Sequence, residues 1–170
     1  MTDYFHATTT TYRPGEVLGI QNRQVPEDGL MLEKLFEELR PEDKPQRMCS
    51  IFVTKLVEDA AVFMQAELAR LGVADIPTYH IYRVTAETVF ETPMVLIRRA
   101  ETLMEAGQDA SEVVHEYWSP TRSWQWLEGL TLTCEVLEQV ASPGFIEEGG
   151  SRVRYDQDSR LAQDIFPTGP

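Results

Sequence analysis

Residues 124–140 read WQWLEGLTLTCEVLEQV, and their apolar residues alternate: Leu130, Leu132, Cys134 and Val136 fall on one face, Thr131, Thr133 and Glu135 on the other. A period of two is the signature of a strand, and this is the strongest such signal in the chain. Four weaker extended runs precede it: Tyr4-Phe5-His6, Glu16-Val17-Leu18-Gly19, Cys49-Ser50-Ile51-Phe52-Val53-Thr54, and residues 78–85 with YHIYRV at their centre. Helical periodicity separates them. Leu32, Leu35, Phe36 and Leu39 recur at i, i+3, i+4, i+7 after a capping Asp28, which leaves Glu33, Lys34, Glu37 and Glu38 to face solvent. A second stripe, Val57, Ala60, Ala61, Met64, Leu68 and Leu71, begins near Lys55 and stops at Gly72. Further helices are expected over 96–105 and, after Gly107 and a capping Asp109, over 111–118, closed by Pro120. Residues 87–94 mix polar and apolar side chains, and Pro93 opposes a helix start there. Such an order lacks regular βαβ alternation, so the expected class is α+β.

A chain of 170 residues fits one domain, here placed at 1–156, with 157–170 as a tail that is loose or docked through Ile165-Phe166. Glu147-Glu148-Gly149-Gly150-Ser151 reads as a hairpin turn. Fifteen basic against 28 acidic residues give a formal charge of −13, which repels phosphate backbones and anionic lipid. Nucleic acid and membrane surfaces are therefore not expected as partners. No apolar run approaches the roughly 18 residues of a membrane span, and the N-terminus lacks the pattern of a secretion signal, so the expected location is cytoplasmic. Cys49 and Cys134 lie far apart without a Cys/His cluster, which points to buried free thiols rather than zinc or a disulfide.

Phosphate-cradling, Rossmann, nucleophile-elbow and zincin motifs are all absent, and the three histidines, His6, His80 and His115, lie in different elements. No metal is expected. His80 reads as structural, and His115 as facing water or a carboxylate. All three tryptophans fall between 118 and 126, where they either wall a cleft or pack the 111–118 helix on the last strand.

Five short pieces occur in order along the chain: Tyr4-Phe5-His6-Ala7-Thr8; Arg13-Pro14-Gly15-Glu16-Val17-Leu18-Gly19; Ile51-Phe52-Val53-Thr54-Lys55-Leu56-Val57-Glu58-Asp59-Ala60-Ala61; Ile81-Tyr82-Arg83-Val84 with an acid soon after; and Pro120-Thr121-Arg122-Ser123-Trp124. Together they resemble the ADP-ribosyltransferase superfamily, especially its small rifamycin-modifying type. The resemblance runs from Tyr4 to about Val140. It implies a split β-sheet with flanking helices that cradles NAD, the donor of the ADP-ribose.

The resemblance also assigns roles. His6 hydrogen-bonds a ribose, Ala7 meets the carboxamide through its backbone, and Thr8 continues that binding strand. Phe52 stands where the family usually has a tyrosine that stacks on nicotinamide; its ring keeps the stacking face without the hydroxyl, and an ordinary core residue is the alternative. The carboxylate that stabilises the oxocarbenium ion is Glu91 by the pattern of the small rifamycin type, or Glu128 by that of other branches. Arg13 and Arg122 are the candidates for meeting pyrophosphate. The implied activity is transfer of ADP-ribose to a small-molecule or protein acceptor. Two alternatives stand beside it: a non-catalytic acidic module that occupies a basic partner surface, and an NAD glycohydrolase with water as the only acceptor.

Overall fold

Phe5 and Thr54 exchange two backbone hydrogen bonds, Phe5 N to Thr54 O at 2.8 Å and Thr54 N to Phe5 O at 2.9 Å, and this single bridge joins two otherwise separate antiparallel sheets. The computed structural model describes residues 2–23, 25, 27–70, 79–141, 147–148 and 151–152. In chain order the elements are β1 (Thr2–Thr8), β2 (Val17–Leu18), α1 (Glu27–Glu38), a 3-10 turn (Arg47–Cys49), β3 (Ile51–Val53), α2 (Val57–Arg70), β4 (His80–Ala86), β5 (Phe90–Pro93), α3 (Val95–Glu105), α4 (Ser111–Trp118), β6 (Leu127–Thr131), β7 (Cys134–Ala141), β8 (Glu147–Glu148) and β9 (Ser151–Arg152). One sheet has the order β1-β4-β7-β2, the other β3-β6-β5. The class is α+β. Among the described residues no helix is long and apolar enough to cross a membrane.

The period-two burial of the strands sorts their side chains into layers. Tyr4, Tyr82, Val84, Cys134 and Val136 of the first sheet pack on Ile51 and Val53 of the second, so the two sheets share an inner apolar core. On the far side of the first sheet, Ala60, Ala61 and Met64 of α2 cover Ala7 and Ile81. On the far side of the second, Phe36 of α1, Leu96 and Ala100 of α3, and Val114, Tyr117 and Trp118 of α4 bury Leu130. Trp118 is fully enclosed and its indole N–H donates to the Phe36 carbonyl at 2.9 Å, which takes it out of any cleft. Each such buried side chain contributes roughly 1.5–3 kcal/mol, so this helical layer is a main source of stability.

Local signals fix several boundaries. Gly107, at φ +68°, takes the left-handed position after α3 that a Cβ would resist, and Asp109 accepts from the Ser111 N–H at 2.9 Å to start α4. Pro93 ends β5 and so stands just before α3 rather than inside it. Glu147 and Glu148 pair with Arg152 and Ser151, as a hairpin requires. The Gly72 helix stop, Thr78 at the start of the 78–85 run and the tail beyond Asp156 lie outside the described residues.

Three expectations are corrected. Residues 124–140 are not one strand but β6 and β7, which belong to different sheets. Thr131 Oγ1 donates to the Thr133 carbonyl at 2.9 Å, a local turn that breaks the ladder and leaves Leu132 43% exposed instead of in the core. Glu33 is 4% exposed rather than solvated, for reasons given below. Cys134 is buried in β7 and its thiol is pushed up to about 12 by burial, but Cys49 sits half-buried in the 3-10 turn, not in a strand.

Gly129 lies at the centre of β6, between Val53 of β3 and Glu91 of β5. A Cβ there would come within 2.5 Å of Val89 Cγ1 and 2.8 Å of Val53 Cγ2. Gly129→Ala is therefore expected to destabilise the fold by about 1–3 kcal/mol through overpacking, measured by urea unfolding; a change within experimental error would show that the inner layer has slack.

Candidate functional site

In an antiparallel strand both backbone groups of one residue point to the same neighbour and those of the next residue to the other. Because Phe5 faces β3, the N–H and C=O of Tyr4, His6 and Thr8 face β4, and those of Ala7 face β3 again. One step beyond the bridge, Phe52 stands opposite Ala7, yet no ladder bond joins them. His6 Nδ1 lies 2.8 Å from the Phe52 carbonyl oxygen. An imidazole N–H thus takes the acceptor that a continuing sheet would give to Ala7, and the strands part at this point. The Ala7 amide and carbonyl face the gap between β1 and β3 with no hydrogen-bond partner among the described residues, although Ala7 as a whole is 9% exposed under α2.

Donation from Nδ1 fixes the neutral tautomer, so Nε2 carries the lone pair and acts as an acceptor. Burial lowers the His6 pKa below the ordinary histidine value, and the bond to the Phe52 carbonyl only partly opposes it. A pKa lowered in the folded state contributes stability that is present above the unfolded value, near 6.5, and is lost as pH falls through the folded value. Between pH 7 and pH 5 the wild type is expected to lose more stability than His6→Asn, whose uncharged amide keeps the donor. Parallel pH profiles in urea unfolding would overturn this.

The same register sets a carboxylate on the inner face, three strands along from His6. His6 lies beside Val53 across the bridge, Val53 pairs with Gly129, and Gly129 with Glu91, so all four share the inner face in one cross-strand row. Glu91 is held by Lys55, whose Nζ is 2.6 Å from Oε1, in a partly exposed ion pair. Their hydrogen bond is the main reason that the Lys55 pKa is raised. Tyr4, between His6 and Lys55 on this face, has its phenol pKa raised by burial and then by Glu91, so it stays protonated. Tyr12 adds a second phenol 6.4 Å from the His6 ring, its N–H bonded to the Tyr82 hydroxyl at 2.9 Å. Thr8 closes this strand opposite His80, on the His6 side.

Glu128 has a different setting. It stands opposite Thr92 on the helix side of the second sheet and is 1% exposed. Arg47 Nη1 and the Tyr117 hydroxyl donate to its Oε1, and Arg47 Nε binds Glu33 Oε2 at 3.1 Å. Burial depresses the Arg47 pKa, but Glu33, Tyr117 and Glu128 outweigh it and hold the guanidinium charged. Arg23 brings a second cation to Glu33 at 3.2 Å. This buried cluster explains the burial of Glu33, and a substrate reaches Glu128 only by opening the helical layer. Its other oxygen, Oε2, is buried and has no partner among the described residues.

Phe52 lends its carbonyl to the open edge, but its ring points away from it. The ring stacks on Phe63 at 5.7 Å, with the Arg23 and Arg47 guanidinium groups 4.9 and 5.1 Å from its centroid. Arg122 lies 4.0 Å over Trp124, which packs on the helical core, so it is not gathered with His6. Arg13 occupies the exposed turn next to Tyr12, where its backbone N–H binds Glu16. No group of three or more metal-ligating side chains occurs among the described residues.

Neither the protein-family models nor the curated proteins contain a match to this chain.

His6, Ala7 and Thr8 are thus brought to one parted edge, Glu91 shares the inner face but stands on β5, two strands beyond β3, and Phe52's ring, Glu128 and Arg122 lie on the other side of the second sheet. Sequence reasoning missed Tyr12, which carried no motif, Tyr4 and Lys55, which lay inside quoted motifs but were given no role, and Arg47, which stood at the end of a polar loop without any apolar pattern around it. The edge can recognise a neutral amide through the paired Ala7 groups and accept a hydroxyl at His6, and the inner face beyond it carries the Glu91 carboxylate.

Proposed function

We propose that the parted edge between β1 and β3 binds the nicotinamide end of NAD and that the protein is an ADP-ribosyltransferase with the split-sheet fold of that superfamily. The observation that carries the proposal is the open Ala7 amide pair, kept open by the His6 side chain, with Glu91 in the same inner-face row. A primary carboxamide offers one donor and one acceptor in a plane, which matches a free strand edge without any charge. The His6 Nε2 lone pair accepts from a ribose hydroxyl. Tyr12, rather than Phe52, is the aromatic beside the ring.

In the reaction, the bond between the ribose C1′ and the pyridinium nitrogen breaks, and its electron pair leaves with neutral nicotinamide. Glu91 faces the resulting oxocarbenium ion and stabilises it by charge. An acceptor nucleophile then bonds to C1′ and gives up its proton. Since nicotinamide departs neutral, no acid has to protonate it first, and a single carboxylate is sufficient.

Calorimetry with NAD, paired with chromatographic detection of nicotinamide, tests the reading. Binding with nicotinamide release supports it. Absence of both at millimolar NAD would falsify it. Free ADP-ribose as the sole second product, with every candidate acceptor unmodified, would assign the same site to hydrolysis instead.

A further inference from the structure

At the far end of the second sheet, a cleft of about 640 Å³ opens between the 43–45 loop, residues 87–90 and the β6–β7 turn. Its walls are apolar where Pro45, Val89, Phe90 and Leu132 meet, and that volume lies in the ordinary range for small-molecule sites, roughly 300–1,000 Å³. The Phe90 ring is fixed from behind by Trp118, stacked at 6.0 Å and 22°. The Lys44 ammonium lies over the ring, 4.4 Å from the centroid, and 3.0 Å from the Asp43 carboxylate. A ring face and a carboxylate around one ammonium make a site for an alkylammonium ion, and Lys44 fills it from within the chain.

We infer that this cleft is a binding site for a small organic cation, an amine with an apolar body, whose ammonium displaces Lys44 from Phe90 and Asp43. Charge decides the sign of the ligand. The cleft is lined by two carboxylates, Asp43 and Glu87, against the one ammonium, inside a chain of net charge −13, so an anion is repelled and a cation drawn in. Glu87 has no ion-pair partner among the described residues, so it is free to meet the incoming charge as Lys44 leaves. The apolar walls account for the rest of the ligand: a bare ammonium ion would leave Leu132 and Val89 in water, whereas a phenylalkyl body covers them. The site does not depend on NAD or on the reading of the β1–β3 edge.

The experiment compares three probes of one shape on the full chain without NAD: phenethylamine, 2-phenylethanol and 3-phenylpropionate. Binding is followed by calorimetry and by amide shifts of residues 87–90 and 131–133. The amine is expected to bind about tenfold more tightly than the alcohol, and the propionate not at all. Lys44→Ala removes the internal competitor and is expected to tighten amine binding several-fold, while Glu87→Gln weakens it; both positions lie at the surface, and unchanged circular dichroism confirms the fold. Equal binding of amine and alcohol, or no response to Lys44→Ala, overturns the inference. Displacement of the amine by a lysine-rich peptide of higher affinity also overturns it, because the site would then read a protein's cation.

Discussion

Replacing Arg47 by methionine is expected to lower the unfolding free energy by about 3–5 kcal/mol, the largest stability effect of any single change in this protein. The side chains of Arg47, Glu33 and Glu128 are 3%, 5% and 1% exposed, so removing the guanidinium leaves two carboxylates in an apolar layer without their shared donor. Water cannot reach them to compensate. The Tyr117 hydroxyl, whose pKa burial raises well above the ordinary phenol value, still donates to Glu128 but cannot neutralise it. Arg47→Lys does not rescue the loss, because a point charge cannot span Glu33 and Glu128 as the planar fork does. Replacing all three, with methionine at 47 and leucine at 33 and 128, is expected to recover most of the stability, since an apolar group in place of a buried ion cluster is close to neutral. Urea unfolding of the single and triple variants checks both statements. A single variant within 1 kcal/mol of wild type would mean that the cluster is open to solvent.

Glu91→Gln is expected to reduce nicotinamide release by about 10²–10³-fold while leaving stability nearly unchanged. The two halves of that statement have different physical causes. Glutamine keeps the shape and a hydrogen-bond acceptor but removes the negative charge that, in the proposed reaction, would face the oxocarbenium ion, and a preorganised charge of that kind is worth several kcal/mol. The ion pair lost with it, to a Lys55 that is 51% exposed, is worth only about 0–1 kcal/mol. Glu128→Gln should show the reverse pattern: a large loss of stability, and activity that follows the folded fraction. A Glu91→Gln enzyme that turns over normally, beside an inactive but folded Glu128→Gln enzyme, would move the catalytic carboxylate to the helical side of the sheet. His6→Ala serves as the companion variant and should weaken NAD binding as well as slow turnover.

The fold class was legible because helices and strands each left their own period. The 111–118 helix was readable to the residue, since Asp109 and Pro120 bracket it and Val113, Val114, Tyr117 and Trp118 line one face. The 124–140 run misled for an instructive reason. Alternation reports which face a residue takes relative to its neighbours, but a strand that stops, turns at Thr131 and Thr133 and enters another sheet keeps the same parity on both sides of the break. Strand β5 was missed because four residues carrying Glu91, Thr92 and Pro93 have too little apolar content to register. At the candidate site, the order of short motifs drew attention to His6 and Ala7, whereas the side of the sheet on which Phe52 and Glu128 fall depends on pairing register, which no local pattern encodes. Glu33 and Arg47 illustrate the same limit: each is an ordinary surface residue until its partner is known.

The width of one imidazole ring has a consequence for the architecture itself. Strands in a ladder lie about 4.8 Å apart, and with a short side chain at position 6 nothing would stop Ala7 from joining Phe52 and extending the pairing that Phe5 and Thr54 begin. β1 would then zip onto β3, and the two sheets would merge into one continuous surface. His6 therefore acts as a wedge as well as a ligand for a carbonyl: the same ring that would handle a ribose keeps the protein from closing its own seam.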